Sequence, residues 1–244
     1  MILKIEDRAE FIDNFLIPLS RINNSCILKH SDKGITTLMS AADNTVILYG
    51  KYDVALELDA PVSLNIPDVG RLTKILQCIN KPSIELEINT NNVKYTSDDL
   101  RFTYHLLDDG ILSQPPVSVE KIKKLEYNTS FKLPYDSLIN LIKSSTFTLN
   151  INKVYISTKN GCIYAEISDK QSHNCDSICI KLSEEYTGDQ ITDPLPVIFD
   201  TVRILATSRT DSINVYINSK LNVMTFEVNN NKVKMTYIVS GLMK

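Results

Sequence analysis

The feature that most constrains this chain is a strand–helix–strand segment that occurs twice. Residues 61–89 read PVSLNIPDVGRLTKILQCINKPSIELEIN, and residues 194–218 read PLPVIFDTVRILATSRTDSINVYIN. Setting Ile84-Glu-Leu-Glu-Ile-Asn89 on Ile213-Asn-Val-Tyr-Ile-Asn218 gives an offset of 213 − 84 = 129 residues, and the same offset sets Lys74-Ile-Leu on Arg203-Ile-Leu. Inside the first helix Leu72, Ile75, Leu76 and Ile79 recur at the 3.6-residue period and form one apolar face. At 100° per residue, Lys74 and Lys81 fall nearly opposite that face and Arg71 on its flank. Pro67-Asp68 opens the helix and Lys81-Pro82 closes it. A cation thus returns at the same outward position in both copies. The chain reads as a duplication.

At 244 residues, two halves of ordinary domain size fit this reading. No apolar run approaches the 18 or so residues of a membrane span, and the opening MILKIEDRAE lacks the apolar stretch of a signal peptide, so an intracellular protein without a membrane partner is expected. Five cysteines (Cys26, Cys78, Cys162, Cys175, Cys179), an odd number without framework spacing, fit reduced thiols. The formal net charge of −3 disfavours a protein that coats DNA with a broadly basic surface, but not one that gathers its cations on one face.

In chain order, residues 7–17 read as a helix with Phe11, Ile12, Phe15 and Leu16 on one side, which Pro18 should end or kink. Three strands, 25–30, 35–41 and 45–52, follow with turns at Asp32-Lys-Gly34 and Asp43-Asn44. After the pivotal segment, strands 93–97 and 101–107 close the half. Residues 108–126, with Pro115-Pro116 and a basic run, predict an extended connector without its own core; its Ile111, Leu112, Val117 and Val119 are expected to lie partly on the body. The second half repeats the order: strand 131–133, helix 134–145 with Pro134 at its first position and Leu138, Ile139 and Ile142 inward, then strands 154–158 and 162–168 across Lys159-Asn-Gly161. Strand 177–183, a polar excursion over 184–193, the second strand–helix–strand and strands 222–228 and 232–239 complete it. The divisions are 1–107, 108–126 and 127–244. Two one-sided helices per half are best buried together on antiparallel sheet, an α+β architecture, which leaves their cationic faces on one exposed surface suited to a polyanion.

This pattern resembles the DNA sliding clamps over the whole chain in repeat order. Its most specific part is LTKILQC (residues 72–78), which is similar to the corresponding helix of proliferating cell nuclear antigen; residues 111–125 resemble the interdomain connector of phage clamps. The resemblance implies two repeated domains, each with two helices packed on sheet, and, with two domains per chain, a homotrimer closing as a six-domain ring. It departs in lacking an acidic tail after Tyr237 and in being shorter and rich in Asn, Ile and Lys, which points to a phage or other viral clamp in the cytoplasm of an infected bacterium, or the nucleus for a eukaryotic one. The implied function is a processivity factor encircling duplex DNA without sequence preference and tethering the replicative polymerase after a clamp loader has opened the ring. Weak contacts to phosphates suit sliding, where base readout would stall it.

Candidate DNA-contacting cations are Lys74, Lys81 and Arg203, then Arg71, Lys143 and Arg209, with Arg8 and Arg21 weaker. A solvated helix face accounts equally for any one of them; the repeat-matched Lys74/Arg203 pair is what sets the group apart. By resemblance, ring closure pairs strand 101–107 with 177–183 of the next subunit, and partner peptides dock near Ile111, Leu112, Pro116, Val117, Ile238 and Leu242; pairing of those strands within one chain and ordinary packing of the connector on the sheet fit the same residues. A monomeric accessory factor of the same fold, gripping DNA with one basic face, is the alternative, and it would need a broader cationic surface.

No catalytic residue is assigned. No phosphate-binding, dinucleotide, nucleophile-elbow or zinc-protease motif occurs, and Asp98-Asp99 and Asp108-Asp109 sit where turns favour aspartate. His173, Cys175 and Cys179 fall one ligand short of a zinc pattern, so neither metal nor cofactor is expected. His30 and His105 are lone residues within strands.

Overall fold

The computed structural model describes residues 1–32, 34–54, 61–148, 151–172, 175–208 and 210–242. The chain divides into two compact units: Met1–Val119 with Asn230–Met235, and Glu120–Asn229 with Thr236–Lys244.

The first unit opens with β1 (Ile2–Ile5), a helix in three parts and β2 (Cys26–Ser31), β3 (Gly34–Ser40), β4 (Val46–Tyr52) and β5 (Val62–Ile66). Helix α3 (Val69–Gln77) leads to β6 (Ile84–Ile88), β7 (Asn92–Thr96) and β8 (Arg101–His105). One antiparallel sheet runs β1-β6-β7-β8; another runs β4-β3-β2-β5. Alternate residues of the second sheet, Cys26, Leu28, Ile35, Met39, Leu48, Tyr52, Leu64 and Ile66, are buried. Phe11 and Phe15 pack on Tyr52 with ring centroids 5.0 and 5.8 Å from it. Each such fully buried apolar side chain contributes about 1.5–3 kcal/mol, and aromatic pairing adds roughly 0.5–1.5 more. At the β2–β3 hairpin, Gly34 has φ +103, and a Cβ there would meet Tyr52 O at 2.4 Å. Only glycine fits that approach.

Of the two outcomes that the sequence allows at Pro18, an end or a kink, the first helix does not end there but continues through an irregular turn. It runs α1 (Arg8–Glu10), a π-helical turn (Phe11–Leu16) and α2 (Ile17–Ile22). The Ile17 N–H donates to Ile12 O, an i→i−5 bond. The widened turn accommodates a proline ring that lacks an N–H and would crowd the preceding turn of a regular helix.

The second unit has β9 (Thr129–Pro134), α5 (Tyr135–Ser144), β10 (Lys153–Lys159), β11 (Cys162–Ile167) and β12 (Ile178–Ser183). The predicted polar excursion contains a two-residue strand, β13 (Thr187–Gly188), paired with β9. Then come β14 (Leu195–Ile198), α6 (Phe199–Leu205), β15 (Ser212–Asn218), β16 (Val223–Asn229) and β17 (Val233–Ser240). Its sheets run β12-β11-β10-β14 and β13-β9-β15-β16-β17. Asn160 (φ 51) and Gly161 (φ 78) make the β10–β11 turn, both in the left-handed region that a two-residue hairpin of this hand requires. Pro134 caps α5 in an extended conformation instead of occupying its first turn. The buried face of α5 is Leu138 with Leu141, while Ile139 and Ile142 are half-buried.

The connector is not wholly extended: it contains α4 (Val119–Lys123), with Glu120 in its first turn, Lys121 and Lys123 in its last, and Ile122 buried. That charge order suits the helix dipole. No described helix is long and apolar enough to cross a membrane.

Candidate nucleic-acid interface and partner cleft

Helix α3 is seated by its start. The Asp68 carboxylate accepts the Arg71 N–H at 2.8 Å, an N-cap that satisfies one of the helix's orphan donors. Tyr104 on β8 grips the same residue: its hydroxyl donates to Asp68 O at 2.6 Å and accepts the Asp68 N–H at 3.0 Å. Burial raises the Tyr104 phenol above its ordinary value. Val69, Leu72, Thr73 and Leu76 face the core, which leaves Arg71 and Lys74 on the exposed side, with Lys81 exposed just beyond the helix. The Arg71 guanidinium lies 5.3 Å from the Tyr104 ring centre. Arg71, Lys74 and Lys81 pair with no carboxylate among the described residues.

Arg8, a weaker candidate, has another task. Its Nε donates to Lys81 O at 2.9 Å and its Nη1 to Leu76 O and Gln77 O at 3.4 and 3.5 Å. It therefore caps the carbonyls at the end of α3. Arg21, on α2, is exposed.

In the second unit the counterpart of Lys74 is bound. Arg203 Nη1 meets Asp200 Oδ1 at 2.8 Å, its Nη2 donates to Ser145 Oγ at 3.2 Å, and its guanidinium lies 4.7 Å from the centre of the buried Phe199 ring. Asp200 in turn accepts from Asn152 Nδ2 at 2.8 Å and donates its N–H to Asn152 Oδ1 at 2.9 Å. Lys143, near the end of α5, is exposed. Arg209 lies outside the described residues, as does His173.

Each of the two four-stranded sheets has two end strands, β1 and β8 in the first unit and β12 and β14 in the second. β8 is the last strand of the β1-β6-β7-β8 sheet and β12 the first of the β12-β11-β10-β14 sheet; neither has a second partner strand among the described residues. These are the strands that the sequence assigned to closure.

The connector covers one face of the first unit's β2–β3 pair. A cleft of about 440 Å³ there is lined by Ile111, Leu112 and Pro116 together with Ile27, Leu38 and Met39. Ile111 is 60% exposed. Val117 is half-buried and does not line this cleft. Ile238, expected to offer itself to a partner, is instead buried within the second unit, because β17 is covered on both faces along most of its length. Leu242 is half-buried, its N–H donating to Pro196 O at 2.9 Å.

His30 is fully buried, and neither ring nitrogen has a hydrogen-bond partner among the described residues. Burial pushes its pKa down to about 4, so it stays neutral. Among the described residues, no three His, Cys, Asp or Glu side chains gather as a metal site. Local spacing could have flagged Asp200, three residues before Arg203 on one helix face. No sequence signal marks the Arg8–Lys81 or Tyr104–Asp68 bonds, which join residues 73 and 36 positions apart.

No family model and no curated protein matches the sequence. Solved structures do match over the full length. The proliferating cell nuclear antigen of A. fulgidus, solved with the C-terminal region of FEN-1 bound, aligns with a TM-score of 0.81 at 13% identity, covering 100% of this chain and 99% of that one. The proliferating cellular nuclear antigen of Entamoeba histolytica gives 0.80 at 14%, covering 99% and 98%. The PCNA2–PCNA3 complex of Sulfolobus tokodaii gives 0.75 at 14%, covering 99% of both chains. Over its whole length, this chain has the DNA sliding-clamp fold of the proliferating cell nuclear antigens.

Proposed function

We propose that the chain is a DNA polymerase sliding clamp. Three copies close head to tail into a six-domain ring around duplex DNA, each half of the chain supplying one domain and residues 108–126 the connector between them. The ring tethers a replicative polymerase and is opened by a clamp loader. The observation that carries this reading is the pair of open edge strands, β8 and β12, one in each unit. Joining them between neighbours pairs these two edges and generates a closed, heterologous assembly, whereas leaving them open invites aggregation. No catalytic chemistry is needed: a closed ring cannot leave DNA sideways, so exposed cations such as Lys74, Lys81, Arg71 and Lys143, with Arg209, need only loose phosphate contact. The cleft beside the connector, where polar Asn23, Ser25, Ser40 and Asn44 stand with Ile27, Leu38 and Leu112, suits a short peptide of mixed polarity from a partner, and the A. fulgidus relative solved with the C-terminal region of FEN-1 supports a peptide as the kind of ligand.

The test is topological. The protein is concentrated with nicked circular duplex DNA and filtered by size, before and after the DNA is cut once. A ring stays with the circle and is lost on cutting. Equal retention on both forms would instead establish the monomeric factor that grips DNA from one side.

A further inference from the structure

The sequence repeat equates Lys74 with Arg203, yet the structure places them in opposite electrostatic circumstances. Lys74 stands on the exposed side of α3, between Arg71 and Lys81, with no carboxylate paired to any of the three among the described residues. The guanidinium of Arg203 has one arm on Asp200, another on Ser145 at the C-cap of α5, and its flat face on Phe199. Asp200 is itself fixed by two hydrogen bonds with Asn152. The chain Asn152–Asp200–Arg203–Ser145 thus fastens α6 to the end of α5. Arg8 fastens the helix pair of the first unit by a different route, through the carbonyls at the end of α3. Each unit therefore has one arginine that joins its helices, and in the second unit it is the residue that the repeat marks as a DNA contact.

We infer, on the sliding-clamp reading, that Asp200 and Ser145 withhold Arg203 from DNA, so that at this repeat-matched position only the first unit's Lys74, flanked by Arg71 and Lys81, is offered to the duplex. Two physical effects act together. Two of the guanidinium's five N–H donors are engaged by Asp200 and Ser145, and the Asp200 carboxylate 2.8 Å away offsets its charge as seen by a phosphate. In a trimer the contact at this position then follows three-fold rather than six-fold symmetry, with Asp200 acting as a positioning residue that keeps the second unit's contact weak.

The test is the salt dependence of binding to a fluorescent 30-base-pair duplex, because each lost phosphate contact flattens the plot of log affinity against log salt by about 1. Lys74→Ala should flatten it. Arg203→Ala should leave the slope unchanged while lowering the thermal midpoint, and Asp200→Asn, which frees the guanidinium, should steepen it. Equal flattening by Lys74→Ala and Arg203→Ala overturns the inference while leaving the clamp reading intact. Wild-type protein retained equally on nicked circles and on cut DNA overturns the clamp reading itself. Circular dichroism reports folding; should Arg203→Ala fail to fold, Asp200→Asn and Ser145→Ala decide, and unchanged slopes in both overturn the inference.

Discussion

Tyr104 and Asp68 exchange two hydrogen bonds, the hydroxyl donating to the Asp68 carbonyl at 2.6 Å and accepting the Asp68 N–H at 3.0 Å. The edge strand β8 is thereby tied to the first turn of the cation-bearing α3. Tyr104→Phe keeps the ring beside Arg71 and removes both bonds. It should cost about 1–2 kcal/mol, the usual range for stripping hydrogen bonds from partly buried partners. Chemical denaturation measures the loss, and amide exchange should quicken first at residues 69–72. Unchanged exchange there would show that Tyr104 does not hold the helix.

Arg8 carries a second prediction. Its guanidinium meets the carbonyls of Leu76 and Gln77 in the last turn of α3 and of Lys81 just beyond it. Arg8→Ala should destabilise the protein by about 1–2 kcal/mol, as loss of charge-assisted bonds does. Arg8→Lys should recover little, because an ammonium cannot span three carbonyls with a planar fork. The slope of DNA binding against salt should not change in either variant.

His30 predicts how the fold responds to acid. Its pKa falls from an ordinary 6.5 to about 4 because burial disfavours the charged ring. The unfolded chain therefore binds a proton more readily than the folded one between these values. The stability is whole above pH 6.5 and is lost as pH falls towards 4. At pH 4.5 this single group should cost about 2–3 kcal/mol relative to pH 7.5, from the size of the shift. His30→Leu should remove that part of the acid sensitivity, read as a smaller difference between denaturation midpoints at the two pH values. An equal difference in both proteins would assign the sensitivity to other groups.

The cysteines should react in order of access. Cys78 lies exposed beside α3, whereas Cys26 is buried on β2 and burial pushes its thiol up to about 12. A thiol reagent at pH 8 should label Cys78 within minutes and Cys26 only after unfolding. Mass mapping of the labelled peptides checks this. Early labelling of Cys26 would show that the β2–β5 sheet opens readily.

What was legible in the sequence was local. The α3 stripe, the Asp68 cap and the Asn160-Gly161 turn each follow from residues a few positions apart, and the 129-residue offset carried the first half's architecture to the second. Whether Pro18 ends or distorts its helix is not readable locally, because the π turn that lets the helix continue has no sequence signature. In α5, Leu138, Ile139, Leu141 and Ile142 fit two overlapping stripes, and only packing selects Leu138 with Leu141. Ile238 is placed among the partner-binding residues by resemblance alone, and the covering of β17 on both faces, which residue spacing does not reveal, buries it. Arg203 is the most instructive case. Its position was readable, but its partners come from the end of another helix and from the loop before β10, and those contacts decide whether its charge is offered outward.

The central claim is that β8 and β12 join between chains to close a ring of three. Absolute mass by light scattering across a dilution series tests it most directly. The account predicts a stable species at three times 27.5 kDa, 82.5 kDa. Protein that stays at 27.5 kDa even when concentrated would contradict it.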